Sequence, residues 1–272
     1  MFDFTAESFD LEKTNEYILS IQISLDGFSF SILHPQENKI IALRCKLLKI
    51  SNDNLVLRHF SEWLNEEELL QKKYLKIILI YFTAEFSLIP ENLFSNQLVK
   101  ETTSRLIQDN NHKNMILDTA NGLEVPARIV YYLPKDLQET IYQHFSSPEL
   151  IHPVQLMIQH IPHEGQKNKV VLLYHKKICI LVAARSNQIL LANGFNTGHL
   201  NDLVYYVLNT ITQLNLNLKE TDFYLSDALT KNEELEQLLH PYFPEIFYLP
   251  PAESIVNAEK IPNSIHRYFS PV

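Results

Sequence analysis

Apolar positions along this chain follow two spacings in turn, one of period two and one close to the helical period. In residues 17–48 (YILSIQISLDGFSFSILHPQENKIIALRCKLL), Leu19, Ile21, Ile23 and Leu25 alternate with Ser20, Gln22 and Ser24. Phe28, Phe30 and Ile32 then share one face of a second strand, opposite Ser29, Ser31 and Leu33. Leu25-Asp26-Gly27 predicts a tight reversal between them, because Asp-Gly tolerates the positive φ such a turn needs. Residues 34–38 supply the next turn and 39–48 a third strand. The pattern returns in residues 169–195 (KVVLLYHKKICILVAARSNQILLANGF), with reversals at His175-Lys176 and Arg185-Ser186-Asn187.

After each meander the spacing turns helical. Leu57, Phe60, Trp63, Leu64, Leu69 and Leu70 predict a broken pair of helical segments over 55–70, with Trp63 in the core. Residues 74–82 are almost continuously apolar, the mark of a buried strand covered on both faces. A loop containing Pro90 follows, opening into a short helix. The next expected elements are a helix over 95–109 capped by Ser95, short strands at 114–117 and 127–133, and a helix that Pro134 begins. Residues 154–161 fit a helix or a strand, with a short helix preferred, and the polar stretch 162–168 reads as a linker. The second half continues with a helix over 200–214, a strand over 222–225, a helix over 232–240 and a closing strand over 246–249. Residues 1–16 read as an arm docking Phe2, Phe4 and Phe9, and 254–272 as a surface tail. The order β-β-β-α-β-α-β written twice predicts an α/β protein duplicated into domains 1–163 and 164–272.

Composition narrows the function. The 272 residues are 46% hydrophobic and 20% charged, ordinary for a globular protein, and two domains suit the length. No run approaches the roughly 18 apolar residues of a membrane span. The acidic N-terminal stretch lacks a basic leader. Cys45 and Cys179 lie in apolar strands and are expected to be buried thiols, with neither a disulfide framework nor a zinc site. Together these readings predict a cytoplasmic protein. A formal net charge of −9 argues against nucleic-acid binding. The five glycines (Gly27, Gly122, Gly165, Gly194 and Gly198) are isolated, leaving little material for phosphate-cradling loops.

The doubled element order resembles the actin-like ATPase fold, in which each half is a ribonuclease-H-like unit. In sequence the chain resembles a small family of uncharacterised Bacteroides-type bacterial proteins with that fold. The likeness is carried by residues 18–33, by YYLP at 131–134, by the strand pair 170–183 and by FYLSD at 223–227. Active members of the superfamily place an Asp-x-Gly pattern at the first strand's end to organise magnesium and phosphate. Here those positions fall on Gln22 and Ser24. Sliding the match puts them on Asp26 and Gly27, inside the hairpin turn. The second half has Leu173, Tyr174 and His175 instead, and Ser226-Asp227-Ala228 stands where a Gly-Gly pair admits adenosine. Gln and Tyr cannot supply the charged oxygens magnesium prefers.

The resemblance therefore implies a degenerate fold that has lost ATP hydrolysis, with no cofactor, acting as a scaffold for a protein partner or as a homodimer. The alternative is a cleft that still binds ATP with magnesium. Gln22, Ser24, Asp26, Gly27, Ser29, Ser226 and Asp227 are its candidate residues.

Other chemistry is weaker. Asp118, Asp222 and Asp227 sit near strand ends, where a two-metal nuclease would need them to converge. His152, His160 and His163 lack zinc-ligand spacing and are read as solvated or partly packed. His175-Lys176-Lys177 is a small basic hairpin tip. Arg44 and Lys46 are expected on a wet strand face. The strand serines have no paired His and Asp to activate them. Thirteen Tyr and fifteen Phe fit either an aromatic core or an aromatic-rich interface.

Overall fold

The computed structural model describes residues 2–25, 27–48, 50, 53–95, 97, 99, 101, 112–120, 123, 125–162, 165, 167–175, 177–186, 188–226 and 233–249. The first meander forms β2 (Ile18–Ser24), β3 (Gly27–His34) and β4 (Lys39–Leu47). Helix α1 (Asp53–Glu66) then carries the chain over the sheet to β5 (Lys76–Tyr81), which pairs parallel with β2. With β1 (Phe2–Thr5) outside β4, and β9 (Glu149–Ile151) outside β5, the sheet order is β1-β4-β3-β2-β5-β9. The second meander forms β10 (Asn168–His175), β11 (Ile178–Arg185) and β12 (Gln188–Asn196). Helix α4 (Leu200–Gln213) leads to β13 (Thr221–Leu225), and α5 (Glu233–Leu239) to β14 (Ile246–Tyr248), giving the order β12-β11-β10-β13-β14. Counted from the first strand of each meander, both sheets run third, second, first, fourth, fifth.

A third, small sheet lies between β5 and β9 in the chain. It holds β6 (Phe86–Pro90), β7 (Lys113–Ala120) and β8 (Ala127–Pro134) in the order β6-β8-β7. Helix α2 (Lys135–His144) follows β8, and α3 (Pro153–His160) follows β9.

The three largest hydrophobic clusters among the described residues account for this layering. Leu19, Ile21 and Ile23 meet Phe28, Phe30 and Ile32 under α1, whose Val56, Phe60, Trp63 and Leu64 make one apolar stripe. The second core is built on α3, buried throughout residues 153–158, with Ile78 and Ile80 of β5 on one side and Val171, Ile180 and Val182 of the second half on the other. A helix with six consecutive residues buried lies inside the molecule, and only Gln159 and His160 at its end reach toward solvent. The third core packs Leu203, Val207 and Ile211 of α4, and Leu235 and Leu239 of α5, against β10 and β11.

The halves also touch where β12 meets the turn after β5. A Cβ on Gly194 would lie 2.2 Å from the Ala84 carbonyl oxygen. That oxygen belongs to the backbone, so no rotamer change relieves the clash. Gly194→Ala should therefore cost about 1–3 kcal/mol of stability, read as a fall in the urea midpoint at unchanged slope; an unaltered midpoint would refute the close approach.

Several expectations change. Residues 88–90, read as the start of a loop over 88–94, belong to β6, whose Pro90 is tolerated because β6 is an edge. The N-terminal arm becomes β1, paired with β4. Arg44 is not on a wet face. Its guanidinium pairs with Asp3 and donates to the Phe4 carbonyl (2.9 Å) and Thr5 Oγ1 (3.1 Å), clamping β1 down. Strand β9, three residues long, is too short to show a period. Most of the helix expected over 95–109, and the tail 254–272, lie outside the described residues.

Candidate functional site

Ligands of open α/β sheets bind beyond the carboxyl ends of the parallel strands. Here both sheets turn those ends toward one cleft of about 400 Å³. Its lining is Ser24 and Leu25 at the end of β2, Thr83 to Glu85 after β5, Lys113 at the start of β7, Lys177 after β10, and Asn196 to Gly198 at the end of β12, with Val56, Tyr81, Phe82 and Ile178 completing it. Lys113 Nζ meets Glu85 Oε2 at 2.6 Å, and both side chains are largely shielded from solvent. The Glu85 amide donates to Thr83 Oγ1 (3.1 Å), which holds the turn. At the opposite wall, the Gly198 and His199 amides donate to Asp202 Oδ2 at 3.1 and 3.0 Å. Those amides, His199 first and Gly198 next, hold the Asp202 carboxyl below the usual range. Thr197 Oγ1 donates to the same oxygen (3.2 Å).

Behind the cleft, His152 caps α3. Its Nδ1 accepts from the Val154 amide (3.1 Å), so Nε2 carries the proton and donates to the Thr83 carbonyl (2.9 Å). The ring lies 4.4 Å from Phe86 and 5.3 Å from Tyr131, and burial pushes its pKa down to about 3. The solvated or partly packed role expected for His152 is thus corrected to a fully buried one.

Of the residues proposed from sequence, Ser24 lines the cleft, its hydroxyl 3.3 Å from the Gly27 carbonyl. Gln22 stands one pleat deeper on β2, between Ser29 and Ile80 in register. It is buried, and its Oε1 has no hydrogen-bond partner among the described residues. Ser29 is fully buried. Gly27 has φ +120°, and a Cβ there would lie 2.1 Å from the Lys46 carbonyl oxygen, so its place is explained by the hairpin closing on β4. The Ser226 amide extends the β13 ladder to the Leu172 carbonyl. Asp26 and Asp227 lie outside the described residues, as do His163 and Lys176.

The structure keeps Asp118 and Asp222 apart, on β7 of the small sheet and β13 of the second half. Burial pushes the Asp118 carboxyl up, whereas Asp222 pairs with Lys167 at 2.8 Å. Among the described residues no group of three His, Cys, Asp or Glu side chains could hold a metal ion. Cys45 and Cys179 are free and buried, and burial pushes the Cys179 thiol up to about 12. Among the described residues no helix is long and apolar enough to cross a membrane.

Sequence reasoning missed Thr83, Glu85 and Lys113. Thr83 had a signal, as the first polar residue after a continuously apolar strand. Lys113 had none, because a different sheet delivers it.

The family model for proteins of unknown function, DUF3822, matches residues 6–246. The chain belongs to the DUF3822 family. The DUF3822 chain is 22% identical to a Bacteroides thetaiotaomicron protein with actin-like ATPase fold and unknown function, covering 90% of this chain and 95% of that one at a TM-score of 0.81. It is 12% identical to a chain of the PilM–PilN type IV pilus biogenesis complex, covering 93% and 96%, at a TM-score of 0.59. No functionally curated protein matches it in sequence. The chain therefore has the actin-like ATPase fold, as the sequence led us to expect.

Magnesium-ATP does not fit the described residues. Position 22 offers a neutral amide in place of a carboxylate. The ammonium of Lys113 and the amides of Gly198 and His199 are already met by Glu85 and Asp202.

Proposed function

We propose that this DUF3822 protein is a non-catalytic cytoplasmic scaffold, built of two ribonuclease-H-like units over residues 1–163 and 164–272, that binds a protein partner. The repeated strand order supports the two units, and two free buried cysteines suit a reducing compartment. One observation carries the binding role. Strand β12 is a sheet edge of nine residues without a charged side chain, half-exposed along most of its length. It faces a groove of about 410 Å³ shared with Leu88 and Pro90 of β6, another edge, and with Leu123 and Val125. No charged side chain lines the groove among the described residues. Natural edges are normally guarded by charge, because open N–H and C=O groups recruit further strands. An edge left uncharged and flanked by apolar side chains suits an extended segment of another protein, or of a second copy. The PilM–PilN complex offers an example of this fold assembled with another protein.

Val125, 47% exposed at the groove, is a suitable position for a photo-cross-linking residue. The expected result in cells is one discrete adduct, abolished by Leu191→Glu, with light scattering over a concentration series deciding between a homodimer and another partner. No adduct, in a protein that is strictly monomeric, would sink the reading.

The second reading is nucleotide binding without turnover, favoured by the place of Ser24 in the cleft between the two hairpins. Its residues would be Gln22, Ser24, Asp26, Gly27, Ser29, Ser226 and Asp227. Micromolar binding of magnesium-ATP or magnesium-ADP by calorimetry would establish it; no heat at millimolar nucleotide would remove it.

A further inference from the structure

We propose that residues 261–272 of this same chain occupy the uncharged groove beside β12 in the resting protein, and must leave it before a partner enters. This rests on the reading of that groove as the binding surface, and names what holds it when no partner is there. Strand β6 closes on β12 where Gly194 meets Ala84, so the groove runs along residues 188–193 of the edge. Pro90 on the facing wall has no N–H to give, so an entering segment pairs with β12. Alternate side chains of that segment then turn toward Leu88, Leu123 and Val125. Leu249, the last described residue, is 5% exposed and belongs to the hydrophobic cluster against which Leu88, Leu123, Ile189 and Ala192 of the groove pack. The chain therefore leaves the described structure from the core that floors the groove.

Reach and composition both suit the remaining residues. Leu249 follows β14, and β12 is the opposite edge of the same sheet. Four strand spacings across and a strand's length along put the groove roughly 25–30 Å away. Residues 250–260, extended, span about 36 Å, enough of a tether to bring residue 261 to the edge. Residues 261–272 (IPNSIHRYFSPV) hold Ile261, Ile265, Tyr268, Phe269 and Val272 and no carboxylate. The lone Arg267 can face outward, because neighbouring side chains of a strand point to opposite sides. A short tether presents the segment at about millimolar effective concentration. A second copy has no tether and carries the same net charge of −9, which opposes its approach. Covering an uncharged edge in this way also guards it against indiscriminate pairing.

The test uses the purified full chain, with a photo-cross-linking residue at Val125, at a concentration where light scattering reports a monomer. Mass spectrometry of the digest is expected to find a link from position 125 to a residue within 261–272 of the same chain. A mixture of isotopically light and heavy protein tells this from a link between copies. The second measurement needs no change at Val125. Amide hydrogen exchange over 188–193 should become about tenfold faster or more in the double variant Ile265→Glu and Phe269→Glu. Both substitutions lie beyond the described fold, so the rest of the chain keeps its structure by circular dichroism. No link to 261–272, links only between copies, or equal exchange in the two proteins would each overturn the proposal. In cells, the partner adduct at position 125 should rise about threefold or more in the double variant, its competitor being gone. An unchanged partner adduct would overturn the competition. An intramolecular link with no partner adduct in either protein would leave the segment in its groove and remove the scaffold reading instead.

Discussion

Replacing His152 by alanine is expected to cost about 3–4 kcal/mol, because the change opens a cavity and strands two buried backbone groups at once. The imidazole is fully buried against Phe86 and Tyr131, and it is the hydrogen-bond partner of both the Val154 amide and the Thr83 carbonyl. One side chain thus joins the end of β5, the small sheet and the first turn of α3, and α3 is the element buried between the halves.

The same residue sets a pH dependence. Its pKa is pushed from 6.5 to about 3 by burial, the Thr83 carbonyl opposing. The unfolded chain therefore binds a proton below pH 6.5 that the folded chain refuses, so unfolding is favoured as pH falls. This contribution is fully present above the unfolded value. It is lost through the window from 6.5 down to about 3, at up to about 1.4 kcal/mol per pH unit. Carboxylates also titrate in the lower part of that window, so the informative quantity is a difference. Urea midpoints of wild type and His152→Gln, taken at pH 7.5, 6 and 5, should converge as the pH falls. Parallel lines would show that the imidazole is not held neutral.

Trp63→Ala is expected to be comparably damaging, at about 3–5 kcal/mol. The indole is 1% exposed, lies 5.5 Å from Phe28 in a stacked arrangement and 5.6 Å from Phe30, and meets Phe60 of its own helix at 6.3 Å. Removing it takes away the group on which α1 rests against β3. Its Nε1 has no hydrogen-bond partner among the described residues. Trp63→Phe forfeits no such bond and should lose much less than the alanine variant. Trp63 is the only tryptophan of the chain, so the series must be followed by circular dichroism. Similar losses in the two variants would mean that ring packing is not what holds the helix there.

The two meanders, the break after α1 and the central strand β5 were all legible, because each has a period or a run that one kind of element alone can bury, whereas the run that became α3 suits a helix or a strand. The elements that escaped notice were β1, β6 and β9, edge strands of four, five and three residues. Edge pairing is set by what the neighbouring strand leaves open, so it leaves no period in the edge strand itself. Arg44 misled for a related reason: alternation placed it on a face but could not show that β1 would cover that face.

The candidate site was less legible than the fold. Ser24 was found because it ends a strand whose alternation is plain, and Gln22 because a strand-end position had a chemical expectation attached. Which of them meets the cleft was decided by the pleat. Lys113 and Glu85 are 28 residues apart, and their pairing could not be read from either segment. The chain's local patterns of burial determined a repeated α/β architecture. Only the tertiary structure decided that two sheets and a small third one meet at a cleft, and that Glu85 pairs with Lys113 inside it. Hydrophobic periodicity is a local property of a strand or helix, whereas charge pairing across a cleft depends on how separate elements are packed.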